Sequence, residues 1–218
     1  MRMNWMAIAM ATVCVAGLSK VASASTTTLT FTGTGGTTEP LNSGESASVY
    51  PYYFTVGSLT NVPLICISFD NEIFQGENWM ATIDPLSSSS STFDKEEAYL
   101  YSEILSTTNA TQQAEIQFAD WYLSDSAGVA ATTFYQANSS AILGYVNGAE
   151  ANYGLESSSF YSQFQLYVPV SGTQNPSQDG TPQIFIGLAP TPEPGSLALL
   201  GTGLLGMGGI VRRRSRVV

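Results

Sequence analysis

The chain has 218 residues, with seven Lys and Arg, seventeen Asp and Glu, no His and two Cys. That length suits one domain plus sorting segments, and the missing His removes the commonest general base and metal ligand. Between Ser25 and Thr191 sixteen acids face Lys95 alone, a formal charge of −15 that repels nucleic acid phosphates and draws cations over a Debye length of about 8–10 Å.

Met1 to Ala24 reads as a secretory signal peptide. Arg2 supplies the positive start, Trp5 to Leu18 the apolar run, and Ala22-Ser23-Ala24 a small-residue cleavage site after Ala24. Cys14 lies inside the apolar run and is followed by Val15, which does not fit a lipoprotein acylation site.

After Ala24 the chain is rich in Thr and Gly. Thr26 to Thr32 alternates weakly, Val49 to Val56 is aromatic and β-branched, and Val62 to Phe69 and Trp79 to Ile83 have strand composition. Ser87 to Ser91 is a low-complexity linker, after which the periodicity turns helical. Thr92 is placed to cap a helix over Phe93 to Leu105, with Leu100 and Ile104 one turn apart. A second helix runs from Ala110 to Leu123, with Ala114, Gln117, Phe118 and Trp121 on one side. A third covers Thr133 to Asn147, with Phe134, Ala141, Ile142 and Tyr145 spaced for a core and Gly148 as its stop. Strand composition returns at Phe160 to Val170 and Gln183 to Leu188, joined as a hairpin through the loop Pro176 to Pro182. The reading is an α+β class domain over residues 25–189. It is a β-sheet of β-sandwich-like form with a three-helix insertion at about 93–147.

The last segment, residues 190–218, has three parts in order. Thr191-Pro192-Glu193-Pro194 is rigid and non-helical, because Pro fixes its own φ and restricts the residue before it. Gly195 to Val211 carries no charge; as a transmembrane helix at 1.5 Å per residue it spans about 26 Å, a little under the bilayer core of about 30 Å. Arg212, Arg213, Arg214 and Arg216 follow, and such a cluster favours the cytoplasmic side. A cleaved leader demands the same topology.

Pro192-Glu193-Pro194, a Gly- and Leu-rich apolar helix and the cluster Arg212, Arg213, Arg214 together resemble the PEP-CTERM sorting signal of Gram-negative bacteria. The resemblance implies recognition by an exosortase, a membrane-embedded cysteine transpeptidase-like enzyme. It also implies a transient stay in the inner membrane and a cut near Pro-Glu-Pro. Delivery to the cell surface or extracellular matrix follows, often among exopolysaccharide.

The middle of the chain has one cysteine, Cys66, so no disulfide forms within it. Cys66 sits between Ile65 and Ile67, where an apolar burial explains it. Leu64-Ile65-Cys66-Ile67, followed about fifty residues later by Ile116-Gln117-Phe118-Ala119-Asp120-Trp121, is also similar to the bacterial thioester domains of surface adhesins. That likeness implies Cys66 as thioester sulfur, Gln117 as acyl donor and Trp121 packed beside the bond, which an amine-bearing surface ligand would open. Gln117 and Trp121, at i and i+4, share a helix face. Two positions depart from the pattern: Asp120 stands at a place those domains keep apolar, and Ser68 where an Asp often follows the cysteine.

Asp70, Glu72 and Glu77 gather near a turn, where oxygen ligands for Ca²⁺ compete with a solvated loop, and the solvated loop is preferred. Asp94, Glu96 and Glu97 read as solvated acids on a helix surface rather than a glycosidase pair. The sequence holds no phosphate loop and no His-based triad. The reading is therefore a non-enzymatic exported surface protein with no cofactor and no metal, adhesive through Cys66 and Gln117. The alternative is a secreted carbohydrate-binding or carbohydrate-active protein, for which Trp79 and Trp121 would supply exposed faces.

N-terminal sequencing of the exported protein is expected to start at or near Ser25; material that retains Met1 would reject the leader.

Overall fold

The computed structural model describes residues 25–42, 44–175 and 182–190. Residues 1–24, where the leader and its cut after Ala24 are expected, Ser43, the segment 191–218 and most of the loop 176–182 lie outside them. Eight strands and five α-helices are present among the described residues: β1 Ser25–Thr34, β2 Thr38–Pro40, β3 Ser46–Ser48, β4 Tyr52–Val56, β5 Leu59–Cys66, β6 Asn78–Pro85, α1 Thr92–Ser106, α2 Ala110–Ser124, α3 Ser126–Ala130, α4 Thr133–Asn152, α5 Ser158–Tyr161, β7 Phe164–Pro169 and β8 Phe185–Leu188.

Strands and helices coexist as the α+β reading expects, but the sheet is not sandwich-like. Six strands close on themselves in the order β1-β4-β5-β8-β7-β6, and β6 returns to β1. Every neighbouring pair is antiparallel. Closure leaves no free edge for another strand to template on. β2 and β3 form a separate two-stranded sheet. β1 bends through an irregularity between Phe31 and Gly33, and Gly33 takes φ +139°, which a side chain would strain.

The barrel interior is filled by alternate residues of its strands. Leu29, Phe31, Tyr52, Phe54, Leu64, Cys66, Trp79, Tyr167 and Phe185 form one buried cluster. Phe54 lies at its centre, its ring 4.7 Å from Phe185, 5.3 Å from Phe31 and 5.8 Å from Trp79. Gly187 completes the fill, because a Cβ there would collide with the Leu64 side chain.

The intervening residues of three strands point the other way. Ile65, Phe164, Leu166 and Ile186 pack outward into a second cluster with Leu100, Ile104, Ile116, Phe118, Ile142 and Val146 of the helices. β5, β7 and β8 are therefore buried on both faces. The helices enter between β6 and β7, which are paired neighbours with Pro85 opposite Gln165. The whole helical layer is thus an expanded hairpin connection, closed where the Leu86 N–H donates to the Phe164 carbonyl at 3.0 Å.

Local chemistry sets the helix ends. Ser91, not Thr92, caps α1: its hydroxyl accepts from Asp94 N–H at 3.1 Å, and the Asp94 carboxylate accepts from Ser91 N–H at 3.2 Å. Asn109 caps α2, and Thr132 caps α4. The expected stop at Gly148 does not hold: α4 runs on to Asn152, because its last turns still bury Ala149 and pack on α1. The helical layer extends to Tyr161 rather than 147, and it includes the short α3 and α5 that no periodicity marked. Phe160 and Tyr161, expected in a strand, end α5 instead, and β7 begins at Phe164. No helix among the described residues is long and apolar enough to cross a membrane, and the expected span at 195–211 lies outside them.

Phe54→Ala is expected to remove about 3–5 kcal/mol of stability, because three aromatic neighbours would line the cavity left behind. Urea unfolding at constant m-value measures it.

Candidate functional site

Cys66 is the last residue of β5, and its side chain alternates inward with Leu64 while Ile65 and Ile67 face the helices. α2 crosses that end of the strand. Ile116 to Trp121 are buried without interruption, so the helix is enclosed on every side rather than striped as its sequence suggested. Enclosure puts three polar side chains, Gln117, Asp120 and the Trp121 indole, into a buried seam.

Within that seam the Gln117 amide Nε2 donates to the Cys66 carbonyl at 2.6 Å and lies 3.4 Å from Asp120 Oδ2. Both Cys66 and Gln117 are 0% exposed. The contact runs from the amide to the cysteine's backbone, and the Gln117 Oε1 atom has no donor. The thiol donates to the Ser68 carbonyl at 3.2 Å. Burial pushes its pKa up to about 12, against partial relief from the Ser68 backbone and the Trp121 indole. The thiol is therefore neutral, and needs a base before it can act as a nucleophile. The Trp121 N–H, although it faces the sulfur side of the seam, meets no partner at hydrogen-bond geometry. Its ring packs on Phe118 at 5.1 Å and Phe69 at 5.5 Å.

Two carboxyl groups close the seam from behind. Glu97, from α1, and Asp120 are both 0% exposed. No N–H or O–H donor reaches either Glu97 oxygen or Asp120 Oδ1. The two carboxyls face each other across a dry site, where two carboxylates would repel, so each disfavours ionisation of the other. Desolvation first, then the neighbouring Asp120, holds Glu97 well above the carboxylate range; desolvation also raises Asp120. The expectation that Glu96 and Glu97 are solvated surface acids is wrong: α1 packs on α2 and α4, so Glu97 is fully buried and Glu96, near Glu150 of α4, is nearly so. Sequence reasoning missed this pair. Its one legible signal is Asp120 itself, a lone charge inside an apolar helical run.

In front, a cavity of about 410 Å³ opens at the mouth of the barrel. Tyr52, which shares the barrel core with Cys66, and Trp121, whose indole eases the thiol's burial, line it together with Phe31, Phe69, Glu72 and the half-exposed Phe74. Solvent thus comes within one side chain of the sulfur.

The remaining candidates are dispersed or structural. Glu77 is buried and accepts from Phe74 N–H at 3.1 Å and Gln174 Nε2 at 3.3 Å, which anchors a loop; Asp70 and Glu72 are exposed. No group of three His, Cys, Asp or Glu that would hold a metal exists among the described residues. Trp79 and Trp121 are buried in the two cores, so neither offers the exposed face that the carbohydrate alternative needs. Ser68 accepts from Ile184 N–H at 3.1 Å and ties β8 to the end of β5.

The raised carboxyl pair has a pH signature. Its folded pKa values exceed the unfolded ones near 4, so the native state holds protons that the unfolded chain has released. Stability is full at low pH and falls as pH rises through the raised values, by up to ~1.4 kcal/mol per pH unit for each extra proton. Urea unfolding is expected to show a decline from pH 5 to pH 8. The double variant Glu97→Gln, Asp120→Asn should flatten it, with Glu96 and Glu115 leaving a residual slope.

Neither a curated protein nor a solved structure matches the chain. Residues 190–215 match the PEP-CTERM protein-sorting motif. The match spans Pro192, Glu193 and Pro194 as well as Arg212, Arg213 and Arg214, all outside the described residues. The chain carries a PEP-CTERM sorting motif, which marks it for recognition by an exosortase-type enzyme and for sorting toward the cell surface.

Proposed function

We propose that this is a non-enzymatic surface or extracellular-matrix protein of a Gram-negative bacterium that attaches covalently to amine-bearing ligands through an internal thioester between Cys66 and Gln117. The exported domain passes through an inner-membrane intermediate, is cut near Pro192-Glu193-Pro194, and is released or fixed among surface polymers such as exopolysaccharide.

The observation that carries the reading is the buried meeting of Gln117 with the end of the cysteine strand. A glutamine amide in a dry core with its oxygen unpartnered costs about 1–3 kcal/mol, so packing alone does not favour it there. A lone thiol in an exported protein is likewise exposed to oxidation unless it is buried or consumed. Acylation accounts for both. In the forming step the Cys66 Sγ–H adds to the Gln117 amide carbon; the S–C bond forms, the C–N bond breaks, and the nitrogen leaves as ammonia with the thiol proton. In the binding step a ligand amine attacks the same carbon, an amide forms, and the sulfur leaves as a thiol. Neither step needs an oxidant or a metal. Each molecule reacts once, so the protein is a reagent rather than a catalyst. The cavity at the barrel mouth supplies an approach, and the charge of −15 between residues 25 and 191 favours cationic amines over anions.

Intact mass of the exported form tests this. The expected product starts near Ser25, ends near Pro192-Glu193-Pro194, weighs one ammonia less than its sequence, and gains methylamine on exposure. Cys66→Ala and Gln117→Ala should each abolish the ammonia loss and the methylamine addition. A folded wild type of full mass that ignores methylamine would leave Gln117 a packing residue.

A further inference from the structure

Closing a bond between Cys66 and Gln117 moves one proton from sulfur to nitrogen. Both atoms belong to side chains with no solvent contact, so water is a poor carrier. The thiol does not ionise unaided, and an amide nitrogen leaves only once protonated. The chain has no His, and Lys95, the one base between residues 25 and 191, stands over the Tyr153 ring at 5.3 Å. The buried carboxyls Asp120 and Glu97 remain, and Asp120 reaches the reacting nitrogen: its Oδ2 is 3.4 Å from Gln117 Nε2, one helical turn along α2.

We propose that Asp120 is the acid–base catalyst of thioester formation, with Glu97 the positioning residue that keeps one proton on the pair. The proposal rests on the thioester reading above. A pair holding one proton offers an O–H and a carboxylate in the same place. Asp120 gives its proton to the Gln117 nitrogen as the C–N bond breaks, and the pair takes the Cys66 proton as the S–C bond forms. Ammonia departs, and the pair ends with the single proton it began with. Attack by an external amine reverses the roles, with the amine losing a proton and the sulfur gaining one. The charges that face Asp120 are Glu97 from α1, the Cys66 thiol from β5 and the Tyr52 hydroxyl from β4, with Glu96 acting on Glu97. None is cationic, so the shared proton is what neutralises the pair. A pair retained merely to join α1 and α2 would need only hydrogen bonds, which amides supply as well as acids.

The test compares full-length wild type with Asp120→Asn and Glu97→Gln by intact mass and by the rate of methylamine addition from pH 5 to pH 9. Wild type is expected to weigh one ammonia less and to react along a bell-shaped pH profile, because the pair works only with one proton. Asp120→Asn, shown folded by urea titration, should keep its ammonia or, in any closed fraction, add methylamine on the order of 10²-fold more slowly. Glu97→Gln should reduce the bell to a single limb, since one carboxyl cannot be acid and base together; it decides the matter if Asp120→Asn does not fold. Closure and reaction of Asp120→Asn at wild-type rates, or an unchanged pH profile in Glu97→Gln, would overturn the role of the pair while leaving the thioester in place. A wild type of full mass would instead sink the thioester reading and this proposal with it.

Discussion

Everything at the site follows from α2 being enclosed on all sides where it crosses the end of β5. A helix on a barrel surface normally keeps one face wet and puts its polar residues there. Here α1, α4 and the outer face of β5 surround it, so Ile116 to Asp120 are buried in every direction, and Trp121 meets only the cavity at the barrel mouth. Gln117 and Asp120 have no solvent to turn to, and their partners must come from the protein. Gln117 finds the Cys66 carbonyl, and Asp120 finds Glu97. A seam that gathers an amide, a thiol and two acids out of water is costly as packing, because each polar group left without a partner keeps its desolvation penalty.

The enclosure is possible because the barrel has two kinds of strand. β1, β4 and β6 bury mainly their inward residues, such as Leu29, Phe54 and Trp79. β5, β7 and β8 also bury outward residues, Ile65, Leu166 and Ile186, under the helices. The helical layer enters and leaves through adjacent antiparallel strands, so a long insertion costs the barrel no pairing. Both cores meet at Cys66, whose side chain belongs to the barrel and whose carbonyl belongs to the helical seam.

Charge is distributed along the chain to match sorting rather than folding. Six of the seven Lys and Arg lie outside residues 25–191, at Arg2, Lys20 and the four Arg between 212 and 216. The sorting motif occupies 190–215, and the described domain ends just before it. The acidic described domain thus lies between two cationic ends, with the basic charge other than Lys95 kept out of the fold itself.

The sorting motif was legible in the sequence, because Pro-Glu-Pro, an apolar run and an Arg cluster act through composition and order alone. The strand and helix periods were legible too, since alternation at β4 and the i, i+4 pair Leu100 and Ile104 are local properties. The sequence also singled out Cys66, Gln117 and Trp121 as neighbours of interest. The hairpin of β7 and β8 was legible, but not that the sheet closes, because closure depends on β8 pairing with β5 and β6 with β1, contacts far apart in the chain. Nor did the sequence locate the end of α4: Gly148 is a stop signal only for an unpacked helix, and burial of Ala149 outweighs a propensity cost of about 1 kcal/mol. Least visible was the Glu97–Asp120 pair. A carboxylate on a helix is solvated by default, and only the stacking of α1 on α2, which no local pattern encodes, removes the water from both and sets them against each other.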